Sequence, residues 1–147
     1  MKFQLIIDEN AEEELILRLR EASALSAQIE ALLSAYEGRD SITGFRENEM
    51  RKLAFREVEC ITVRQRRVYA IDTEGREYRL RQSLRELEEL LPSSFIRINK
   101  SALANEDRIL RFHTVFSGAV DAVFRCGYRE YVSRRCFAEI KRRYEEL

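Results

Sequence analysis

The stretch Phe95-Ile-Arg-Ile-Asn-Lys-Ser-Ala-Leu-Ala-Asn105 packs an apolar-polar alternation, two cations and two amides into eleven residues. Phe95, Ile96 and Ile98 favour extended backbone, because branched and aromatic side chains fit a pleated, half-buried surface. Ser101-Ala-Leu-Ala-Asn105 reads as one capped helical turn, so a strand delivers Arg97, Asn99 and Lys100 to a turn. Such a junction can present side chains to a ligand. The same residues also fit a hairpin edge carrying ordinary solvated charges.

Upstream, Ser83-Leu-Arg-Glu86 has the spacing of a capping box, which predicts a helix over 84–91. Leu84, Leu87, Leu90 and Leu91 face inward there, and Pro92 forbids continuation. Before it, Glu59–Val63 and Arg67–Ile71 read as a hairpin around Arg64-Gln-Arg66, and Gly75 turns the chain into a strand at Glu77–Leu80. Downstream, Arg108–Phe116 and Ala119–Arg125 form a second hairpin around Ser117-Gly118, and Gly127 leads into Glu130-Tyr-Val132. Ser133 then caps a last helix with Phe137, Ile140 and Tyr144 on its apolar face and Lys141-Arg-Arg143 near its negative end. Short strands at short intervals, with helices at the edges and no βαβ rhythm, predict antiparallel sheet. The expected class is mainly β with α (α+β).

The first residues read differently. Lys2–Ile7 alternates like a short strand, and Asn10 and Glu13 have the spacing of a capping box for a helix that Gly38 would stop. Leu15, Leu19, Ala22, Ser26, Ile29, Leu33 and Tyr36 make one stripe on it. That stripe is a packing face, for the rest of the chain, for a second copy or for another protein. From Ser41 the texture changes to β-like pieces at Ser41–Phe45 and Lys52–Phe55 around a polar turn at Glu47-Asn-Glu49. The expected division is therefore a strand-helix extension over 1–45 and a domain over 46–147.

A chain of 147 residues, 45% hydrophobic and 35% charged, is long and apolar enough for one buried core and is no disordered tail. No apolar run reaches membrane-spanning length and the first residues are too short for a signal segment, so a cytoplasmic protein is expected. Cys60, Cys126 and Cys136 are widely spaced and His113 is the sole histidine, so free structural thiols are expected and a zinc site is not. With no nucleophile motif and no glycine-rich phosphate loop, neither an enzyme, a cofactor nor a small-molecule substrate is expected. The net charge of zero hides an asymmetry: residues 1–49 hold five basic and eleven acidic residues, and 50–147 hold the other twenty-one basic and fifteen acidic. An acidic front on a basic back half is compatible with a nucleic-acid-binding C-terminal domain.

The cations sit at strand ends: Arg64, Arg66 and Arg67, then Arg97 and Lys100, then Arg134 and Arg135. If the sheet brings those ends to one side, they form a row able to neutralise phosphates and reach guanine in a major groove. Phe95-Ile-Arg97, Ser101, Leu103 and Asn105, followed by Ile109 and by Tyr131-Val-Ser-Arg-Arg135, resemble the signature of the LytTR family of bacterial DNA-binding domains, over about residues 50 to 147. The resemblance implies an elongated arrangement of small antiparallel sheets that reads double-stranded DNA with loops. It implies an approach to bases by the loop Arg64, Gln65 and Arg66, by Lys100 and by Arg135. Arg97, Ser101 and Arg134 would support the loops or hold phosphates, and Asn105 would brace its turn. Where the family often has cysteine and histidine this chain has Ile98 and Asn99, and where asparagine is frequent it has Lys100.

The residues before 45 are too short for a receiver domain, so the chain resembles the stand-alone branch of the family. That implies a transcriptional regulator acting as a homodimer on a repeated site, with a small membrane protein as an inhibitory partner. The reading from another class is a protein-interaction module whose N-terminal helix docks on a partner, without a DNA role.

Overall fold

A computed structural model describes residues 2–12, 14–36 and 40–145. Alternating burial from residue 41 onward lays down ten strands: β1 (Ser41–Arg46), β2 (Glu49–Ala54), β3 (Val58–Arg64), β4 (Arg67–Asp72), β5 (Glu77–Leu80), β6 (Phe95–Asn99), β7 (Ala102–Asn105), β8 (Ile109–Thr114), β9 (Val120–Phe124) and β10 (Arg129–Val132). Three helices accompany them: α1 (Ala24–Tyr36), α2 (Leu84–Leu90) and α3 (Arg134–Glu145). One sheet has seven strands in the order β2-β1-β5-β4-β3-β7-β6, the other three in the order β10-β9-β8. Every pairing is antiparallel, as expected for an α+β chain without crossover units.

The large sheet is the middle layer. Its one face carries Ile42, Leu53, Ile61, Ala70, Tyr78 and Leu103, covered by Leu84, Leu87 and Leu91 from α2 and the residue after it. Ser83 caps that helix, accepting the Glu86 amide at 3.1 Å, as its sequence spacing predicts. The other face carries Cys60, Ile71, Ile98, Ala102 and Ala104, covered by Val120, Ala122, Phe124 and Val132 of the small sheet and Ile140 of α3. Alanines at this sheet-on-sheet contact leave room for Phe124 to fill the layer.

A bulge between Val58 and Cys60 breaks the alternation of β3, so that Glu59 and Cys60 both turn to the small sheet. Glu59 has no exposed surface. Its carboxylate pairs with Arg108 and accepts the Cys126 amide at 2.9 Å, which pins the small sheet to the middle layer. Burial pushes the Cys60 thiol well above its ordinary pKa. All three cysteines are free thiols, Cys60 buried and Cys126 and Cys136 half-buried.

Ser101–Asn105 is not a helical turn: Ala102–Asn105 is a strand, hydrogen-bonded to β6 on one side and β3 on the other. Alanine favours helix only where packing leaves the choice open, and here all four residues are buried between two neighbours. At the front of the chain Lys2–Ile7 pairs with no strand, and the helix begins at Ala24 instead of after Asn10. The Asn10 amide donates to Asp8 Oδ1 at 3.0 Å in a local turn, and the helix is capped by Ser23 and Ser26, whose amides donate to each other's hydroxyls at 2.9 and 3.4 Å. Phe3, Leu5, Ile6, Ile7, Leu15 and Ile16 all stay exposed, so these side chains do not supply the packing that holds an amphipathic helix in water. Glu13 and Gly38, expected to cap and to stop that helix, lie outside the described residues. Residue 45, the expected end of the extension, lies in β1, which pairs with β2 and β5. Tyr144, expected on the apolar face of α3, is exposed and donates to Glu106 at 3.1 Å.

Gly44 marks the closest approach of β1 to β5. A Cβ there would lie 2.6 Å from Tyr78 Cβ and 3.0 Å from Leu53 Cδ1. The Tyr78 atom is rooted in the backbone, so Gly44→Ala is expected to destabilise by about 1 to 2 kcal/mol through overpacking. A lower urea midpoint with an unchanged denaturant slope is the check.

Candidate nucleic-acid interface

Strand order and direction gather three loops at one edge. The β3–β4 turn, the β6–β7 turn and the β10–α3 junction are stitched together by the backbone. The Val63 amide donates to the Ser101 carbonyl and the Ser133 amide to the Ile98 carbonyl, each at 2.8 Å. Asn99 adds two further bonds: its Oδ1 accepts the Ser101 amide at 2.7 Å, and its Nδ2 donates to the Tyr131 carbonyl at 2.6 Å. The first is an Asx turn that shapes the β6–β7 loop, and the second ties that loop to β10.

Arg97, Lys100 and Arg135 line one cleft of about 530 Å³, together with Asn99, Tyr131, Ser133 and Cys136. They play different parts in it. Arg97 donates from Nε and Nη2 to Glu88 of α2 at 3.2 and 2.7 Å, and from Nη1 to the Lys100 carbonyl at 2.7 Å. The Arg97 hydrogen bond holds the Glu88 carboxyl below the usual glutamate range. With all three of its guanidinium nitrogens engaged, Arg97 braces the loop on which Lys100 stands. Lys100 and Arg135 are exposed and form no ion pair among the described residues. Ser101 is half-buried and serves the loop through its backbone.

Arg134 opens α3 and is exposed, but it does not line the cleft. Ser133 caps the helix by accepting the Cys136 amide at 3.2 Å. Arginines in a first turn oppose the helix macrodipole, whereas an anion there is stabilised by it. The pair at Arg134 and Arg135 therefore suits a phosphate-bearing partner better than it suits the isolated helix.

In the β3–β4 turn Gln65 and Arg66 both have left-handed backbone, with φ of 49° and 66°. Two-residue hairpins require this twist and normally place Asn-Gly there, because a side chain costs about 1 to 2 kcal/mol in that conformation. Here two long polar side chains are kept. Arg64 is held back: it pairs with Glu77 at 2.7 Å and its guanidinium lies 5.7 Å from the Tyr69 ring centre. Behind it, burial first and Glu130 second push the Tyr128 hydroxyl up to about 12. Of the expected residues, then, Gln65, Arg66, Lys100, Arg134 and Arg135 are presented to solvent without an ion pair among the described residues, and Arg64, Arg97 and Ser101 are engaged within the chain.

Residues 48–145 match the LytTR family, described as the LytTr DNA-binding domain. The chain belongs to this family. A LytTr DNA-binding domain of a putative methyl-accepting/DNA response regulator from Bacillus cereus superimposes with a TM-score of 0.63 at 21% identity, over 70% of this chain and 94% of that one. It supports the LytTR fold. An uncharacterized HTH-type transcriptional regulator of Staphylococcus aureus strain COL is 28% identical over 97% of both chains. A second one, from strain MW2, is 27% identical over 83% of this chain and 84% of its own length. Among the described residues of this LytTR chain no helix directly follows another, since five strands separate each successive pair. Gln65, Arg66 and Lys100 stand in edge loops, and Arg134 and Arg135 at the junction where β10 gives way to α3.

Sequence reading missed Asn99 as the tie between loops, and Glu88 and Glu77 as the clamps on Arg97 and Arg64. Asn99 carried a usable signal, an amide two residues before Ser101 at Asx-turn spacing. Asn105, expected to brace its own turn, accepts the Asp107 amide at 3.2 Å but also donates to the Val58 carbonyl at 3.0 Å, across the sheet. Asn99→Ala removes both side-chain bonds, leaving the Ser101 amide and the Tyr131 carbonyl without them, so it is expected to cost about 1 to 2 kcal/mol of stability. It should also weaken DNA binding several-fold by loosening Lys100, which a melting curve and an anisotropy titration on one preparation will resolve.

Proposed function

We propose that this LytTR protein is a transcriptional regulator that reads duplex DNA with its three edge loops, two copies sharing a repeated site. The observation that carries this reading is the cleft shared by Lys100 and Arg135, held open by Arg97 and Asn99 and adjoined by the Gln65-Arg66 turn. An arginine fork matches guanine O6 and N7, and lysine serves guanine or a phosphate. Arg66 and Arg134, outside the cleft, are placed for phosphates. Such a protein acts where the DNA is, in the cytoplasm, and no helix among the described residues is long and apolar enough to cross a membrane. Phosphate neutralisation makes the affinity fall with salt, by about 0.9 log units per log unit of salt for each phosphate engaged. Anisotropy titrations of a duplex between 50 and 200 mM salt, roughly the range over which such complexes weaken, should show that slope. An affinity indifferent to salt overturns the reading.

A second reading concerns the N-terminal segment. Leu15, Ile16, Leu25 and Leu32 are exposed there, more apolar side chain than a solvated arm needs, and Glu30 anchors α1 by accepting the Ser93 amide and hydroxyl at 3.1 and 2.6 Å. We assign this segment to protein contacts, with the second copy or with a membrane-bound inhibitor. Leu25→Ser with Leu32→Ser should abolish self-association in sedimentation equilibrium or release such an inhibitor. Unchanged behaviour in both removes the assignment.

A further inference from the structure

The exposed cations do not stop at the three loops. Strand β5 ends at the same edge, because Val68 pairs with Leu80, and the next step of that ladder sets Arg67 beside Arg81. Arg79 lies opposite Tyr69 on β4 and opposite Phe45 on β1. Arg67, Arg79 and Arg81 line two adjoining clefts, of about 420 and 640 Å³, which also take in Phe45, Tyr69 and Arg66.

Arg64, Arg76, Arg97 and Arg108 each hold a carboxylate, whereas Arg66, Arg67, Arg79 and Arg81 hold none among the described residues. Glu47 and Glu86 line the same clefts without reaching them. The Glu86 carboxylate accepts the Ser83 hydroxyl at 3.2 Å, and Glu77 is taken by Arg64. The Arg81 guanidinium lies over the Phe45 ring, 4.5 Å from its centre, a cation–π contact that uses no N–H and so leaves its donors for an anion. Four unpaired guanidinium groups this close repel one another, and an array of phosphates relieves that repulsion.

From β5 through β4, β3 and β7 to β6 is four strand spacings, about 19 Å at 4.8 Å each. At a rise of 3.4 Å that is about five to six base pairs of duplex. We propose that Arg67, Arg79 and Arg81 form a fourth contact, a clamp on the sugar-phosphate backbone of the DNA flanking the loops on the β5 side. It rests on the reading of the loops as the DNA-facing edge. The clamp reads no bases, so it adds affinity equally to every sequence and sets how far the footprint extends past the preferred site.

The test uses the full chain and three duplexes: one long, and two trimmed by about six base pairs on one flank or the other. Arg79→Ala with Arg81→Ala is compared with wild type and with the double lysine variant, which keeps the charge, and melting curves confirm that all are folded. On the long duplex the alanine variant is expected to bind about tenfold more weakly, with a salt slope smaller by about two, and lysine to restore most of both. On one of the trimmed duplexes wild type and variant should bind alike. If Arg135→Ala weakens binding while the β5 variant matches wild type on the long duplex, the clamp is refuted and the loop reading stands. A β5 defect that persists on both trimmed duplexes also refutes the clamp. If wild type binds none of the duplexes, both fail together.

Discussion

Arg135→Ala is expected to weaken binding to the preferred duplex by about 1 to 3 kcal/mol, roughly 5- to 150-fold, with no shift in the thermal midpoint. Arg135 is exposed in the first turn of α3 and makes no ion pair among the described residues, so its removal costs the fold nothing that the structure identifies. Losing an arginine from the positive end of a helix should, if anything, relieve that end. The loss therefore falls on DNA alone and is larger on the preferred sequence than on unrelated duplex, because a base contact specifies while a phosphate contact only positions. Titration of both duplexes with both proteins measures this, and equal binding to the preferred site by wild type and variant removes Arg135 from the reading set.

Glu59→Ala has the opposite signature. It is expected to destabilise the protein by about 3 kcal/mol, the lower end of the cost of breaking a buried ion pair. Two groups lose their partner at once, the Arg108 guanidinium and the Cys126 amide. Arg108 keeps about 30% of its side-chain surface in water, which lets its charge find solvent and holds the cost at that lower end. The damage is to the seam between the two sheets. Chemical denaturation should show a lower midpoint, and DNA affinity at temperatures where the variant is folded should be close to wild type. A variant as stable as wild type would mean that Glu59 does not hold the seam.

The chain's alternation made most of the β architecture legible, because hairpins such as β3–β4 and β8–β9 are local and their turns are written in Gln65-Arg66 and Gly118. Helix α2 was legible for the same reason, through Ser83, Glu86 and Pro92. The strand at Ala102–Asn105 was not. Its identity depends on β3, forty residues earlier, arriving alongside, and no local propensity carries that. The front of the chain misled in the other direction, since a regular stripe at helical spacing needs a surface to bury against, and Leu15, Ile16 and Leu17 stay exposed.

For the candidate site, residue types at strand ends pointed to Lys100, Arg134 and Arg135, but which arginines are held by carboxylates was invisible. Glu88 and Glu77 reach Arg97 and Arg64 only once α2 and β5 are folded. Arg79 and Arg81 joined the edge by strand order alone.

The measurement that bears most directly on the loop-reading account is selection of bound DNA by the full chain from a random duplex pool. The account predicts an enriched motif that occurs twice in each selected duplex, with guanine at the positions where Arg135→Ala loses discrimination. A pool that emerges from repeated selection with no enriched sequence would contradict it.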